Sequence, residues 1–130
     1  MKDEEFLEAF EDCTLCKEEW THFAHVRMAW IYLNGLPVCD AITKISSGII
    51  KYNLSQGNTV GYHDTVTIAF ARLIATRVRV GRDWESFVQR NEDLFDKSKP
   101  VLLKFYSKKL LSSSEARAKF LSPDLAPLPE

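Results

Sequence analysis

The amino-acid sequence predicts an all-α protein, a compact bundle of three long helices with shorter helices covering it. Two observations carry this prediction. Apolar residues recur at three- and four-residue intervals along most of the 130-residue chain, which is the spacing of one buried helix face. Residues that commonly begin and end helices flank these stretches. The length and the 45% hydrophobic content fit a single domain over residues 1–130.

The first two predicted helices lie on either side of a short polar connection. Residues 3–12 place Phe6, Leu7 and Phe10 on one face, and acidic residues crowd the first turn, where the helix dipole favours them. The second helix is predicted to run to Asn34, with Thr21 as its N-cap. Its residues are apolar nearly all round, so we expect it to be the most buried helix.

The third and fourth helices complete the predicted core. Pro37 suits the first turn of the third helix, and a buried stripe follows as far as Tyr52. Residues 53–61 contain two glycines and several polar residues, which predicts a loop. The fourth helix is predicted from His63 to Val80, although β-branched residues leave a strand at 76–80 as an alternative.

The remaining residues predict short covering elements. Asp83 is placed to cap a short helix, residues 91–99 form a connection, and residues 100–106 one or two helical turns. Ser112 and Glu115 form a capping box for a last helix over residues 116–120. Three prolines make residues 121–130 an extended tail, which either packs on the bundle through Leu125 and Leu128 or hangs free.

Charge and hydropathy exclude several classes of partner. The net charge of −1 gives no field that attracts nucleic acid or an anionic membrane. No stretch approaches the roughly 20 apolar residues of a membrane span, and the acidic start does not match a secretory signal. We therefore expect a cytoplasmic protein without nucleic-acid or membrane partners. The sequence leaves its oligomeric state open.

The three histidines are the main candidates for a functional site. His22 and His25 are three residues apart on a predicted helix, so they are neighbours on one face. If His63 faces them, three imidazoles would form a metal site with an open coordination position, which suits zinc or iron. Such a site would support a metal-dependent enzyme acting on a small molecule. The alternative is a non-enzymatic ligand-binding or protein-interaction module in which the histidines only hydrogen-bond.

Five further residues are candidates for supporting roles. Asp64 and Glu19 lie close to the histidines in sequence, and either could act as a catalytic base or orient an imidazole. Arg27, Tyr62 and Tyr106 are candidates for binding a ligand. Their ordinary uses are an ion pair for the arginine and core packing for the tyrosines.

The cysteines suggest a second kind of metal site. Cys13 and Cys16, together with His22 and His25, would supply the two cysteines and two histidines of a structural zinc site. The spacing of the two histidines is tighter than usual for that class. Otherwise the pair represents two partly buried thiols, and Cys39 is predicted to be a core residue of the third helix.

Several segments together resemble a family of small, largely bacterial, uncharacterised helical proteins, and the resemblance covers nearly the whole chain. The segments are Trp20-Thr-His-Phe-Ala-His-Val-Arg-Met-Ala-Trp30, Tyr62-His-Asp-Thr-Val-Thr67, Phe105-Tyr-Ser-Lys-Lys-Leu-Leu111 and Ala116-Arg-Ala-Lys-Phe-Leu-Ser-Pro-Asp-Leu-Ala-Pro-Leu-Pro129.

What the resemblance implies is limited, because no activity, cofactor or substrate is assigned to that family. Its pattern includes the positions that match His22, His25 and His63, which favours a site built from these residues. It includes no cysteine pair where Cys13 and Cys16 stand, which counts against the four-ligand zinc site. The tail belongs to the pattern as well, so the resemblance implies that the tail is docked.

Overall fold

The computed structural model describes residues 1–79 and 81–130. Within these ranges the chain is all-α, as predicted, and it contains no β-strand. The α-helices are α1 (Asp3–Glu11), α2 (His22–Gly35), α3 (Val38–Ser55), α4 (Asp64–Ala75), α5 (Trp84–Arg90), α6 (Lys108–Leu111) and α7 (Ser114–Ala118). Short 3-10 segments span Lys17–Glu19, Glu92–Phe95 and Val101–Lys104.

Helices α2, α3 and α4 pack together at the centre of the fold, as the sequence predicts. Each contributes a stripe of buried side chains, such as Met28 from α2, Ile45 from α3 and Leu73 from α4. Helix α1 covers this core through Phe6 and Phe10. Burial of these apolar faces is the main force that holds the helices together.

The helix starts agree with the caps predicted from the sequence in two cases. The Thr21 hydroxyl accepts a hydrogen bond from the Ala24 backbone N–H at 3.3 Å, and the Asp83 carboxylate accepts one from Ser86 at 2.8 Å. Each side chain satisfies an N–H group that has no partner within its helix. The positions of α2 and α5 in the sequence are thereby confirmed.

Helix α4 is shorter than predicted, because it ends at Ala75 and not near Val80. The Thr76 hydroxyl donates to the Leu73 carbonyl at 2.7 Å, which satisfies one of the carbonyls left open at the helix end. The alternative of a strand over 76–80 is not seen in residues 76–79. Val80 itself lies outside the described residues.

The last helix also differs from the prediction. Ser113, and not Ser112, is the N-cap of α7, and its hydroxyl accepts from the Ala116 N–H at 3.1 Å. The capping-box pattern was therefore assigned one residue too early, and the helix ends at Ala118. The preceding helix α6 was not predicted at all, since four residues are too few to show a helical period.

The C-terminal tail is extended and docked on the bundle. The Leu125 backbone N–H donates to the Phe105 carbonyl at 2.9 Å, and the Asp124 carboxylate accepts from the Ser107 N–H at 2.8 Å. Leu128 packs against a small apolar cluster formed by Ala69, Leu102 and Tyr106, whereas Leu125 is 59% exposed. The tail therefore packs on the bundle and does not hang free. Leu128 makes the expected apolar contact, whereas the chain at Leu125 is held by its backbone hydrogen bond and not by its side chain.

The cysteines occupy more exposed positions than expected. Cys39 is exposed near the start of α3, so its prediction as a core residue is wrong. The buried stripe of α3 begins with Ala41, two positions further along. Cys13 is half-buried and Cys16 is exposed, and all three thiols are free. In the described part of the chain, no helix combines the length and the apolar character needed to cross a membrane.

Candidate functional site

His22 and His25 lie in the first turn of α2, where the Thr21 cap fixes the start of the helix. The Nδ1 atom of His25 lies 2.7 Å from the Thr21 carbonyl oxygen, and Nε2 of His22 lies 2.8 Å from the Leu94 carbonyl oxygen. A carbonyl can only accept, so each of these nitrogens carries the hydrogen. In its neutral form each ring therefore keeps one nitrogen with a free lone pair.

The ring of His25 is held in place by an aromatic stack. Trp20 lies against it with ring centroids 3.8 Å apart, and Phe10 and Tyr52 lie behind Trp20. Burial lowers the pKa of His25, the charge of His22 lowers it further, and the hydrogen bond to Thr21 opposes the shift. The neutral ring, with an acceptor at Nε2, is therefore favoured over the charged one.

His63 is used in a different way. Its Nε2 donates to the Leu111 carbonyl at 2.7 Å, and its Nδ1 accepts from the Val66 backbone N–H at 3.1 Å. These two bonds fix one neutral tautomer and make His63 the N-cap of α4. A metal ligand must offer a lone pair, and the only one on this ring is already occupied by Val66.

The described residues contain no group of three or more histidine, cysteine or acidic side chains that could hold a metal ion. His63 would have to give up its cap before it could join His22 and His25 in such a site. The residues as placed in the structure therefore do not fit the three-histidine metal site expected from the sequence.

Asp64, one of the two proposed catalytic carboxylates, follows His63 directly in the chain, and Glu19 lies three residues before His22. Asp64 accepts a hydrogen bond from the Tyr62 hydroxyl at 2.6 Å, and Glu19 is exposed at the end of a 3-10 segment. Burial, together with Asp64, raises the pKa of Tyr62 to about 12. Among the hydrogen bonds of residues 1–79 and 81–130, neither carboxylate contacts a histidine.

Arg27 and Tyr106 also have structural partners. The Arg27 guanidinium pairs with Asp3 at 2.7 Å and lies 4.9 Å from the centroid of the Phe6 ring. The fully buried Tyr106 donates its hydroxyl to the Leu121 carbonyl at 2.8 Å. The ion pair and the core packing weighed for these residues in the sequence are both seen.

A cavity of about 260 Å³ lies between α2, α3 and α4, and we call it the inner cavity. His22, His25 and Thr67 are its hydrogen-bonding side chains. The rest of its lining is apolar, and it includes Met28, Ile45, Ile49, Phe70, Ala71 and Ile74. An engineered apolar cavity of about 150 Å³ is known to bind benzene. The inner cavity therefore has room for a somewhat larger molecule.

Of the residues singled out in the sequence, the inner cavity brings together only His22 and His25. Thr67 was missed, because a threonine within an apolar helical stripe carries no signal of its own. Phe70 and Ile74 are four residues apart, and this helical spacing predicts that they share one face of α4. Periodicity identifies the face that packs inward, but the space left between facing helices depends on side chains far apart in sequence.

Comparison of the chain with protein-family models, curated proteins and solved structures gives no match. The resemblance noted from the sequence motifs stays a prediction, and the function is inferred from the site itself.

Proposed function

We propose that the protein binds a small, mostly apolar molecule that carries one hydrogen-bond donor, and that it does so in the inner cavity without catalysing a reaction. The observation that carries the proposal is the pair of histidines lining an otherwise apolar cavity. Ligand sites typically combine such a lining with a few convergent polar groups.

The hydrogen bonds of the two histidines indicate the chemistry of the ligand. His25 uses its Nδ1 hydrogen on Thr21, so the polar atom left for a ligand is the acceptor Nε2. His22 uses its Nε2 hydrogen on Leu94, which leaves the acceptor Nδ1. A hydroxyl group on the ligand would match these acceptors, and an apolar body would match the rest of the lining.

Binding is favoured over catalysis by the surroundings of the same histidines. A histidine that works as a general base is usually oriented and assisted by a carboxylate. Here the partners of His22 and His25 are backbone carbonyls, which are neutral and orient the rings without adding charge. This arrangement suits hydrogen bonding to a ligand.

The test compares cyclohexanol with methylcyclohexane, two molecules of similar shape that differ in the hydroxyl group. We expect cyclohexanol to bind more tightly, by about fivefold, since one hydrogen bond contributes roughly 1 kcal/mol. The amide of His25→Asn can still donate to Thr21 but lacks the distant acceptor. This variant should show a smaller preference for cyclohexanol, since only the acceptor Nδ1 of His22 is then left for the hydroxyl group. Titration calorimetry would measure the affinities.

Two matched substitutions test whether the inner cavity is the binding site. Ala71→Leu fills it from α4, and Ala118→Leu adds the same side chain at an exposed position on α7. We expect the first variant to lose cyclohexanol binding and the second to keep it. Circular dichroism would confirm that both variants are folded. Full binding by folded Ala71→Leu would contradict the proposed location.

Metal binding remains a second candidate, because His22 and His25 each keep a nitrogen lone pair in the first turn of α2. Two imidazoles are fewer than the three protein ligands of a typical catalytic zinc site. Any Zn²⁺ or Fe²⁺ bound here would take its remaining ligands from water or from the small molecule. Titration of the protein with each metal tests this candidate.

A further inference from the structure

A second cavity, of about 510 Å³, lies beside the first, and we call it the outer cavity. Its walls come largely from the chain between the 3-10 segments Glu92–Phe95 and Val101–Lys104, from the second of these segments and from the last residue of α6. The apolar side chains include Leu94, Val101, Leu103 and Leu111. This lining would match a flexible hydrocarbon group.

The two cavities share part of their walls. His22, Val66 and Phe70 line both of them, so the cavities meet along these three side chains. The His22 ring lies edge-on to Phe70, with centroids 5.4 Å apart. His22 is also exposed, so the junction is open to solvent beside it.

Histidines fix the outer cavity as well as the inner one. His22 donates to the Leu94 carbonyl on one wall, and His63 donates to the Leu111 carbonyl on another. Two wall segments that are distant in sequence are thereby tied to the N-termini of α2 and α4. Such ties give the outer cavity a defined shape before a ligand arrives, which reduces the entropy lost on binding.

The charges at the outer cavity favour a neutral ligand. Asp96 and Lys97 both line it and have opposite signs. The Asp96 carboxylate accepts hydrogen bonds from the backbone and the hydroxyl of Ser98, at 2.9 and 2.6 Å, which lower its pKa and keep it ionised. A ligand carboxylate near Lys97 would therefore meet a negative charge beside the positive one.

We infer that the ligand is an unbranched aliphatic alcohol whose hydroxyl hydrogen-bonds to His25 or His22 and whose chain passes Phe70 into the outer cavity. This inference rests on the proposed function, and it names the class of ligand. The two histidines supply acceptor nitrogens at the inner cavity, and the outer cavity beside it is lined mainly by apolar side chains, which would suit an alcohol whose hydroxyl lies in the first and whose chain lies in the second.

The experiment measures the affinity for butanol, hexanol, octanol and decanol. Each buried CH₂ group contributes about 0.8 kcal/mol. The affinity should therefore rise roughly tenfold for every two carbons added, as long as the chain finds apolar wall to contact. Leu103→Trp narrows the outer cavity only, so this variant should bind butanol normally and lose the increase at longer chains.

Leu54→Trp is the matched control, since it makes the same change at a position on α3 that is 57% exposed. It should show the increase of the unmodified protein. Leu111→Phe blocks the opposite wall of the outer cavity and replaces Leu103→Trp if that variant does not fold. Loss of the chain-length dependence in the blocking variant alone would support the inference.

Three outcomes overturn it. Equal affinity for all four alcohols would show that the chain does not reach the outer cavity, while the proposed binding of a small molecule in the inner cavity would stand. Tighter binding of octanoate than of octanol would refute the neutral head group. Absence of binding by every alcohol and by cyclohexanol would refute the inference and the proposed function together.

Discussion

The N-termini of α2 and α4 both carry histidines, but they use them in opposite ways. At α4, both ring nitrogens of His63 are hydrogen-bonded within the protein, to Val66 and to Leu111. At α2, His22 and His25 each bond one backbone carbonyl and keep one nitrogen unused. The same residue type therefore stabilises the fold in one place and leaves hydrogen-bonding capacity for a ligand in the other.

This difference shows that the number of hydrogen bonds an imidazole already makes is a better guide to its role than its position in the sequence. A ring with two protein partners gains nothing further from a ligand. A ring with one partner is oriented by that bond and can still accept another. If this contrast holds, substitutions at the N-terminus of α4 should have the largest effects on stability.

The largest effect is expected for Thr65→Val in the first turn of α4. The buried Thr65 hydroxyl lies 2.7 Å from the Ala116 carbonyl and 2.9 Å from the Lys119 carbonyl, and it accepts from the Leu121 N–H at 3.1 Å. Valine keeps the shape but leaves these groups without a partner, which should lower the free energy of unfolding by about 2–4 kcal/mol. Urea denaturation would measure the loss.

Thr65→Ser is the control for that prediction, because it retains the hydroxyl and removes only a methyl group. It should lose about 1 kcal/mol. Equal stability of Thr65→Val and the unmodified protein would mean that the hydrogen bonds from the N-terminus of α4 to residues 116–121 do not stabilise the fold.

A somewhat smaller loss is expected for His63→Ala. Alanine removes both the cap of α4 and the hydrogen bond to Leu111, so the free energy of unfolding should fall by about 2 kcal/mol. His63→Asn restores a good N-cap but does not reach Leu111, and it should recover about half of the loss. Thermal unfolding of the pair measures both contributions. An alanine variant as stable as the unmodified protein would remove the contrast between the two helix ends.

His25, in the first turn of α2, should make the stability of the protein depend on pH. Burial lowers the pKa of His25 from its ordinary value of 6.5, so the folded protein binds fewer protons than the unfolded chain. The stabilising contribution of the neutral ring is present above pH 6.5 and is lost as the pH falls towards the lowered pKa. Urea denaturation at several pH values between 7.5 and 5 should show this decrease.

His25→Asn does not titrate, so its stability should fall less over the same pH range. His22, one turn away, is present in both proteins, so the comparison isolates the contribution of His25. The same pH dependence in both proteins would show that His25 is not the responsible group.

The smallest effect is expected for replacing His63 on the affinity of the protein for Zn²⁺. Any Zn²⁺ taken up by the protein should be lost in His22→Ala or His25→Ala, and its affinity should be unchanged in His63→Asn, which keeps the cap of α4. Titration calorimetry with Zn²⁺ provides the measurement. Loss of zinc from folded His63→Asn would favour the three-histidine site predicted from the sequence over the cavity proposed here.

Local sequence signals predicted most of the fold. Thr21 and Asp83 cap the helices they were expected to cap, and the stripe that ends at Tyr52 is buried from Ala41 onwards, whereas Val38 at its start is exposed. The errors occur where the local signal was short or ambiguous. At the end of α4 the Thr76 hydroxyl bonds back to Leu73 and ends the helix, whereas the apolar pattern continues.

The candidate site was only partly predictable. The spacing of His22 and His25 correctly made them neighbours on one helix. However, the partners that decide the role of each histidine are backbone carbonyls, and those of Leu94 and Leu111 lie far away in the sequence. A backbone carbonyl is present at every residue, so no side-chain pattern reveals which one an imidazole will meet. The inner cavity is likewise a property of three packed helices and not of any one segment.

The stack of Trp20 on His25 gives the protein an optical reporter of its own. A charged imidazole quenches indole fluorescence by accepting an electron from the excited ring, and it does so much more strongly than a neutral one. Trp20 is 3.8 Å from His25, whereas the described aromatic contacts of Trp30 and Trp84 are with each other and with phenylalanine. The emission of Trp20 should therefore follow the protonation of His25 directly, without any added label.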